Sequence, residues 1–178
     1  MTQQERFALN KSRFDEVVAQ LRNRFGESTI KTSIFRDNFR IQVDAGQVYA
    51  VLEYLKNQAG FDMLAELGAA DYLRYPDATD RYGVWYILVN TSNNHRIIVK
   101  TFTNDPDPKL PSVWKLWRGS DWMEREVYDM YGVVFEGHPD LRRILLPDEF
   151  TSFPLRKDYP LRGKGERHNF QPIIRAES

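Results

Sequence analysis

The sequence predicts an α+β fold: a small mixed or mostly antiparallel sheet flanked by helices, followed by an extended carboxy-terminal arm. Three observations predict it. Two early segments carry apolar side chains at helical spacing, and several runs in the first hundred residues are β-branched and apolar at strand length. Their order, helix, two strands, helix, several strands, does not repeat a βαβ unit. From Val134 onward, periodicity gives way to Pro, Gly and charge, a composition without a core of its own.

Ser12-x-x-Asp15 has the form of a capping box with Asp in place of Glu, and Phe14, Val17, Val18, Leu21 and Phe25 then form one apolar stripe that Gly26 stops. This predicts a first helix over 12–25. Two strands follow over 29–35 and 39–43, hinged at Arg36-Asp37-Asn38; Phe39, Ile41 and Val43 alternate with polar residues as in a half-buried strand. Asp44 is placed to cap a second helix over 45–58, carrying Val48, Val51, Leu52 and Leu55 and ended by Gly60. Residues 61–75 suit one irregular strand. The run 84–89 is continuously apolar, which predicts a central strand covered on both faces, and 95–102 pairs with it through the turn Ser92-Asn93-Asn94. The first two helices then pack on one face of the sheet. Three prolines within 105–111 exclude helix and central strand. Ser112 is positioned to cap a short helix carrying Val113, Trp114 and Trp117, and a further helix runs from Ser120 or Asp121 to Tyr131, stopped by Gly132. The domain reading is therefore an α+β body over 1–133 and an arm over 134–178.

Composition narrows the function. A chain of 178 residues supports one good core. Its 25 basic and 25 acidic side chains cancel, which argues against nucleic acid as the main partner and favours association with other proteins. There is no cysteine, so disulfides and cysteine-ligated iron–sulfur clusters are excluded. The apolar run 84–89 is far short of a membrane span of roughly 20 residues, and the first ten residues lack the apolar core of a secretory signal. These features predict a cytoplasmic protein whose membrane contact is indirect, through a partner.

Catalytic chemistry finds little support. His95, His138 and His168 are far apart, without HExxH or calcium-loop spacing, and His138 before Pro139 reads as a hydrogen-bonded turn histidine. Glu124, Glu126, Asp129 and His138 are the raw material of an acid–base site, but Glu124 and Glu126 are two apart on a helix and diverge. Arg125 and Asp129 stand at i, i+4 and suit an ion pair. No GxSxG elbow or phosphate-binding glycine turn occurs. Structural pairing fits better: Glu124 and Glu126 are expected to neutralise Arg142 and Arg143 as the chain folds back past Gly137.

The segment 122–161 carries a more specific message. Glu124-Arg125-Glu126, Tyr128-Asp129-Met130-Tyr131-Gly132, Phe135, Gly137-His138-Pro139-Asp140-Leu141-Arg142-Arg143-Ile144-Leu145 and Pro147-Asp148 resemble the signature of the C subunit of the proton-pumping NADH–quinone oxidoreductase, respiratory complex I. Pro154-Leu155-Arg156-Lys157-Asp158-Tyr159-Pro160-Leu161 resembles the family's second block. About twenty positions agree in order and spacing; the resemblance is close over roughly 112–161 and general before it.

The resemblance implies a scaffold subunit of the peripheral arm without cofactors of its own, flavin and iron–sulfur clusters belonging to other subunits. It implies two partners, the large quinone-site subunit (the D subunit) and the cluster-bearing B subunit, on the cytoplasmic side of the bacterial inner membrane. Ending at Ser178, the chain is expected to be the form not fused to the quinone-site subunit. Between Pro154 and Arg167, five basic side chains face two acidic ones, and Tyr159 with Arg156 suits an interface. Two alternatives stand beside this reading: a homologous subunit of a membrane-bound hydrogenase or plastid or cyanobacterial complex, and a free-standing acid–base enzyme.

Overall fold

The computed structural model of the chain describes residues 2–169, so the end of the predicted arm, 170–178 with Pro172, lies outside the described residues. Helix α1 (Gln3–Phe25) begins well before Ser12. Its cap is Thr2, whose Oγ1 accepts from the Glu5 N–H (3.2 Å) while the Glu5 carboxylate accepts from the Thr2 N–H (2.7 Å). The first turns carry no apolar stripe and so do not announce themselves by periodicity. The stripe itself faces the core: Phe14, Val18 and Leu21 are buried, Val17 and Phe25 partly so, and Gly26 ends the helix at φ +98°.

Strands β1 (Lys31–Phe35) and β2 (Asn38–Gln42) form an antiparallel hairpin. The second helix, α2 (Val48–Asn57), starts later than Asp44 suggests, because residues 44–47 make a separate turn with the Gln47 N–H on the Asp44 carbonyl (3.0 Å). Strands β3 (Met63–Asp71), β4 (Tyr82–Asn90) and β5 (His95–Thr103) complete a five-stranded sheet of order β1-β2-β5-β4-β3. Within this sheet only β2 and β5 pair in parallel. The irregularity expected in β3 is a register shift between Leu64 and Glu66.

Strand β4 departs from the expectation of two covered faces. It lies inside the sheet, but Tyr82, Val84, Tyr86 and Leu88 are buried, whereas Trp85, Ile87 and Val89 are half-buried. Its unbroken apolar run reflects one full core face and one aromatic-covered face; the Trp85 ring lies over Gly68 of β3, where a Cβ would come within 2.7 Å. The short helix expected after Ser112 is a single turn, in which the Leu116 and Trp117 N–H groups share the Val113 carbonyl (2.8 and 2.9 Å).

Helix α3 (Ser120–Tyr131) packs against β3, and Gly132 closes it in the left-handed region at φ +77°. Strand β6 (Lys109–Pro111) pairs in parallel with β7 (Val134–Glu136) to bracket this helix. Residues from α1, α2, the sheet, the 113–117 turn, Val127 and Phe135 form one continuous core. The start of the predicted arm, through Phe135, is thus part of that core.

Candidate functional site

The residues singled out in the sequence gather around the carboxy-terminal half of α3, where the chain turns back across the helix. Asp129 organises this turn. It is fully buried, and its Oδ2 accepts from the backbone N–H groups of Ile144 (3.1 Å), Leu145 (2.8 Å) and Leu146 (2.9 Å). Its Oδ1 accepts from Arg143 Nη1 at 2.7 Å. Burial pushes the carboxyl pKa upward, but the Leu146 N–H, the Arg143 guanidinium and the Leu145 and Ile144 N–H groups outweigh it and hold the pKa below the ordinary range. Arg143 also donates to the Asp129 and Ser152 carbonyls and lies 5.2 Å from the Phe153 ring centre. A planar fork satisfies these directions; a lysine would not.

This geometry replaces two pairings expected from sequence. Arg125 does not pair with Asp129; it donates to the backbone carbonyls of Arg142 (3.1 Å) and Arg143 (3.0 Å). Neither Glu124 nor Glu126 neutralises Arg142 or Arg143. Arg142 pairs with Asp140 at the surface (2.9 Å), and Glu126 is exposed, without a hydrogen bond or ion pair to a described residue. Helical spacing puts these side chains on the right faces, but the loop beyond Gly137 presents backbone groups to α3 as well as side chains.

A second socket lies at the end of β3. Asp71 is 6% exposed and accepts from the Leu73 N–H (2.9 Å), the Arg81 guanidinium (3.1 Å) and, across 86 residues, the Lys157 N–H (2.8 Å). Burial again works to raise its pKa, and the Lys157, Arg81 and Leu73 donors together lower it. Arg81 also pairs with Asp105 (2.5 Å) and Asp158 (2.8 Å). Arg156 donates to the Tyr131 carbonyl (2.6 Å) and lies 4.6 Å from the Phe153 ring centre. Gly132 is required beneath it, since a Cβ there would come within 2.6 Å of Arg156 and of Phe153. Sequence reasoning misses Asp71 and Arg81. A lone aspartate ending a strand reads as solvent-facing, and its decisive partner is in another block altogether.

The remaining signature residues support these sockets. Tyr128 packs edge-on against Phe153 (6.2 Å), and Tyr159 packs against Phe150 (6.1 Å). Gly137 turns at φ +84°, and Pro139 and Pro154 flank the returning chain, exposed and half-buried respectively. The His138 side chain is fully buried; Nδ1 accepts from the Asp140 N–H (3.0 Å), so the neutral ring carries its proton on Nε2, 3.2 Å from the Asp121 carbonyl. It is the hydrogen-bonded turn histidine expected.

Glu124 is fully buried. Its carboxylate accepts from Ser112 Oγ (2.6 Å) and the Val113 N–H (2.7 Å), with His138 Nε2 at 3.9 Å. Burial, stronger than these two donors, pushes its pKa up to about 7 from the ordinary 4.5. A carboxyl with a raised folded pKa stabilises the fold below the unfolded value. That contribution is lost as pH rises through the folded value, so stability should fall between about pH 4.5 and 7, by on the order of 3 kcal/mol. Melting curves from pH 5 to 8 should show the wild type losing roughly 6–12 °C relative to Glu124→Gln, which cannot ionise. Parallel profiles would show that Glu124 does not carry the pH dependence.

Both sockets are saturated with donors, so neither carboxylate is free to move protons or to hold an ion. Among the described residues, no three His, Cys, Asp or Glu side chains converge as a metal site. Beside the sockets lies an open groove of about 560 Å³, lined by Trp122, Met123, Glu126, Ile144 and Leu145. Trp122 is 71% exposed and Leu145 63%.

Over residues 41–165 the chain matches the family described as "Respiratory-chain NADH dehydrogenase, 30 Kd subunit". It is 38% identical over 159 residues to the C subunit of the NADH-quinone oxidoreductase of Laribacter hongkongensis, covering 87% of this chain and 82% of that protein. It spans only 47% and 52% of the longer relatives from Candida albicans and Thermus thermophilus. Among solved structures, a trypsin-resistant fragment of Nqo5 superposes with a TM-score of 0.65 at 32% identity, over 72% of this chain and 99% of the fragment. A chain of an archaeal membrane-bound sulfane sulfur reductase superposes with a TM-score of 0.71 over 92% of this chain and 95% of that one; at 22% identity this likeness is of fold.

Proposed function

Because this chain belongs to the respiratory-chain NADH dehydrogenase 30 kDa subunit family, which includes the C subunits of NADH–quinone oxidoreductases, we propose that it is a scaffold subunit of the peripheral arm. In this role it supports electron transfer from NADH to quinone and its coupling to proton translocation without a catalytic site of its own. The observation that carries the reading is the saturation of Asp129 and Asp71. Carboxylates so fully supplied with donors fix geometry; catalytic acids and bases need a free lone pair or proton.

The division into a body and an arm, expected at 1–133 and 134–178, belongs to this proposal with the boundary moved beyond β7, whose Phe135 is part of the core. Its support is the trypsin-resistant fragment of Nqo5, which matches 72% of this chain. The sockets pin the returning chain at 143–146 and 157, and Leu155 and Leu161 remain exposed between and beyond them. Trp122 and Leu145 line one groove with Arg118, and Leu155 and Leu161 add exposed apolar side chains along the returning chain, a surface for partners to cover. We assign that surface to the quinone-site and cluster-bearing subunits. Flavin and clusters are assigned to other subunits; with no cysteine in this chain, an iron–sulfur cluster finds no thiolate here. Among the described residues no helix is long and apolar enough to cross a membrane, and we propose peripheral attachment on the cytoplasmic side through these partners.

The likeness to sulfane sulfur reductase supports a shared fold, while the sequence relatives of higher identity favour NADH–quinone oxidoreductase over a hydrogenase-like assembly. Affinity purification of the tagged chain from mildly solubilised membranes should recover the quinone-site and cluster-bearing subunits and NADH–quinone reductase activity. Recovery of a hydrogenase-type large subunit would select the alternative complex, and recovery of the chain alone would overturn the scaffold reading.

A further inference from the structure

The two borders of the sheet are treated differently. Strand β3 is packed against α3 and tied to the returning chain through Asp71. Strand β1, at the other border, is exposed at all five positions. It contains no proline, bulge or inward-pointing charge of the kind that usually blunts an open edge.

The side chains of β1 make the edge unusual on both faces. Ile34 pairs with Phe39, and Thr32 with Ile41, so both lie on the face where β2 buries Phe39 and Ile41. Yet Ile34 is 41% exposed, because the core layer ends one strand too early to cover it. On the opposite face Phe35 is 55% exposed, with the guanidinium carbons of Arg36 and Arg40 at 5.3 and 5.5 Å from its ring centre. An aromatic ring flanked by arginines is typical of a binding anchor. Beyond Phe35 the hairpin turn holds Arg36 at φ +56°, a conformation costly for a residue with a Cβ. The turn forms one wall of a groove of about 910 Å³, into which Arg6, Arg36 and Arg96 bring three positive charges against the single carboxylate of Asp37.

We propose that β1 is a docking edge that receives an extended segment of a partner protein as a further strand of the sheet. Apolar side chains of that segment cover Ile34 and Phe7, and its carboxylates face Arg6, Arg36 and Arg96. The open backbone edge selects an extended strand over a helix. The excess of arginine in the groove selects an acidic one, and disfavours a second copy of β1, whose Lys31, Arg36 and Arg40 would be brought toward their own kind. This rests on the assembly role proposed above and adds to it a contact on the border opposite the α3 side.

Hydrogen exchange on the full chain, alone and within the purified complex, tests it. A two-residue turn makes Phe35 and Asn38 a hydrogen-bonded pair, so alternation leaves the Thr32 and Ile34 N–H groups pointing outward. These two amides should exchange freely in the isolated chain and slow by roughly 100-fold in the complex, while Ser33 and Phe35 are protected in both. Ile34→Pro, which removes an outward donor and no ladder bond, should keep the melting temperature and reduce incorporation; Ile34→Val should incorporate normally. Unchanged exchange at Thr32 and Ile34 in a complex that contains the chain would overturn the docking edge and leave the scaffold role standing. Protection in the isolated chain that rises with its concentration would assign the edge to a second copy and overturn the partner strand. Absence of the chain from the complex would overturn both.

Discussion

Asp129→Ala should severely destabilise the fold. It strands Arg143, whose side chain is 12% exposed, and leaves the N–H groups of Ile144, Leu145 and Leu146 without their acceptor. Breaking one side of a buried ion pair costs about 3–5 kcal/mol. For a chain of this size that corresponds to a fall in melting temperature of roughly 6–20 °C. The loss should concentrate in the returning chain, so the 143–146 amides should lose exchange protection first. Asp129→Ala combined with Arg143→Met should recover part of the loss, because no stranded charge remains. A single variant melting like the wild type would show that water or another acceptor replaces Asp129 at little cost. Because its folded pKa is depressed, the stabilisation by Asp129 is present above the ordinary carboxylate range and is lost as pH falls through the folded value.

Deleting residues 154–178 should have the opposite profile, a small effect on folding and a large one on assembly. The deletion removes the Lys157 N–H from Asp71, Asp158 from Arg81 and Arg156 from the Tyr131 carbonyl. It leaves Asp71 with Arg81 and Leu73, and it spares the entire Asp129 socket. The Arg81–Asp158 pair is half exposed on the acidic side and is worth about 0–1 kcal/mol. The body should therefore melt only a few degrees lower, with unchanged circular dichroism. Recovery of the quinone-site subunit by the truncated chain should drop to background, and membrane NADH–quinone activity should fall with it, because the deletion removes Leu155 and Leu161, exposed apolar side chains of the surface assigned to the partner. Full recovery of the partner would refute the arm's role; loss of folding would make the arm part of the core.

The relation between sequence and structure differs from one part of the chain to another. The stripe of α1, both strands of the first hairpin, the β4–β5 pair and the extent of α3 are all legible, because each rests on a local period or a turn residue that a short window contains. The start of α1 is hidden because a capping box without an apolar stripe gives only half a helix signal. At the candidate site, the positions of the signature are legible and their partners are not. His138 reads as a turn histidine and is one. Glu124 reads as the partner of an arginine and meets instead a serine hydroxyl and a backbone N–H near the end of β6.

The fold class, the lack of thiolate ligands and, through a block of about twenty matching positions, the family all follow from the amino-acid sequence alone. Local spacing and side-chain chemistry suffice for those. Which charges meet is settled only when the chain is folded. Asp129 takes its donors from 14 to 17 residues downstream and Asp71 from as far as 86, distances over which no periodicity survives. Most of those donors are backbone N–H groups, which every residue but proline carries and which therefore leave no mark in a sequence.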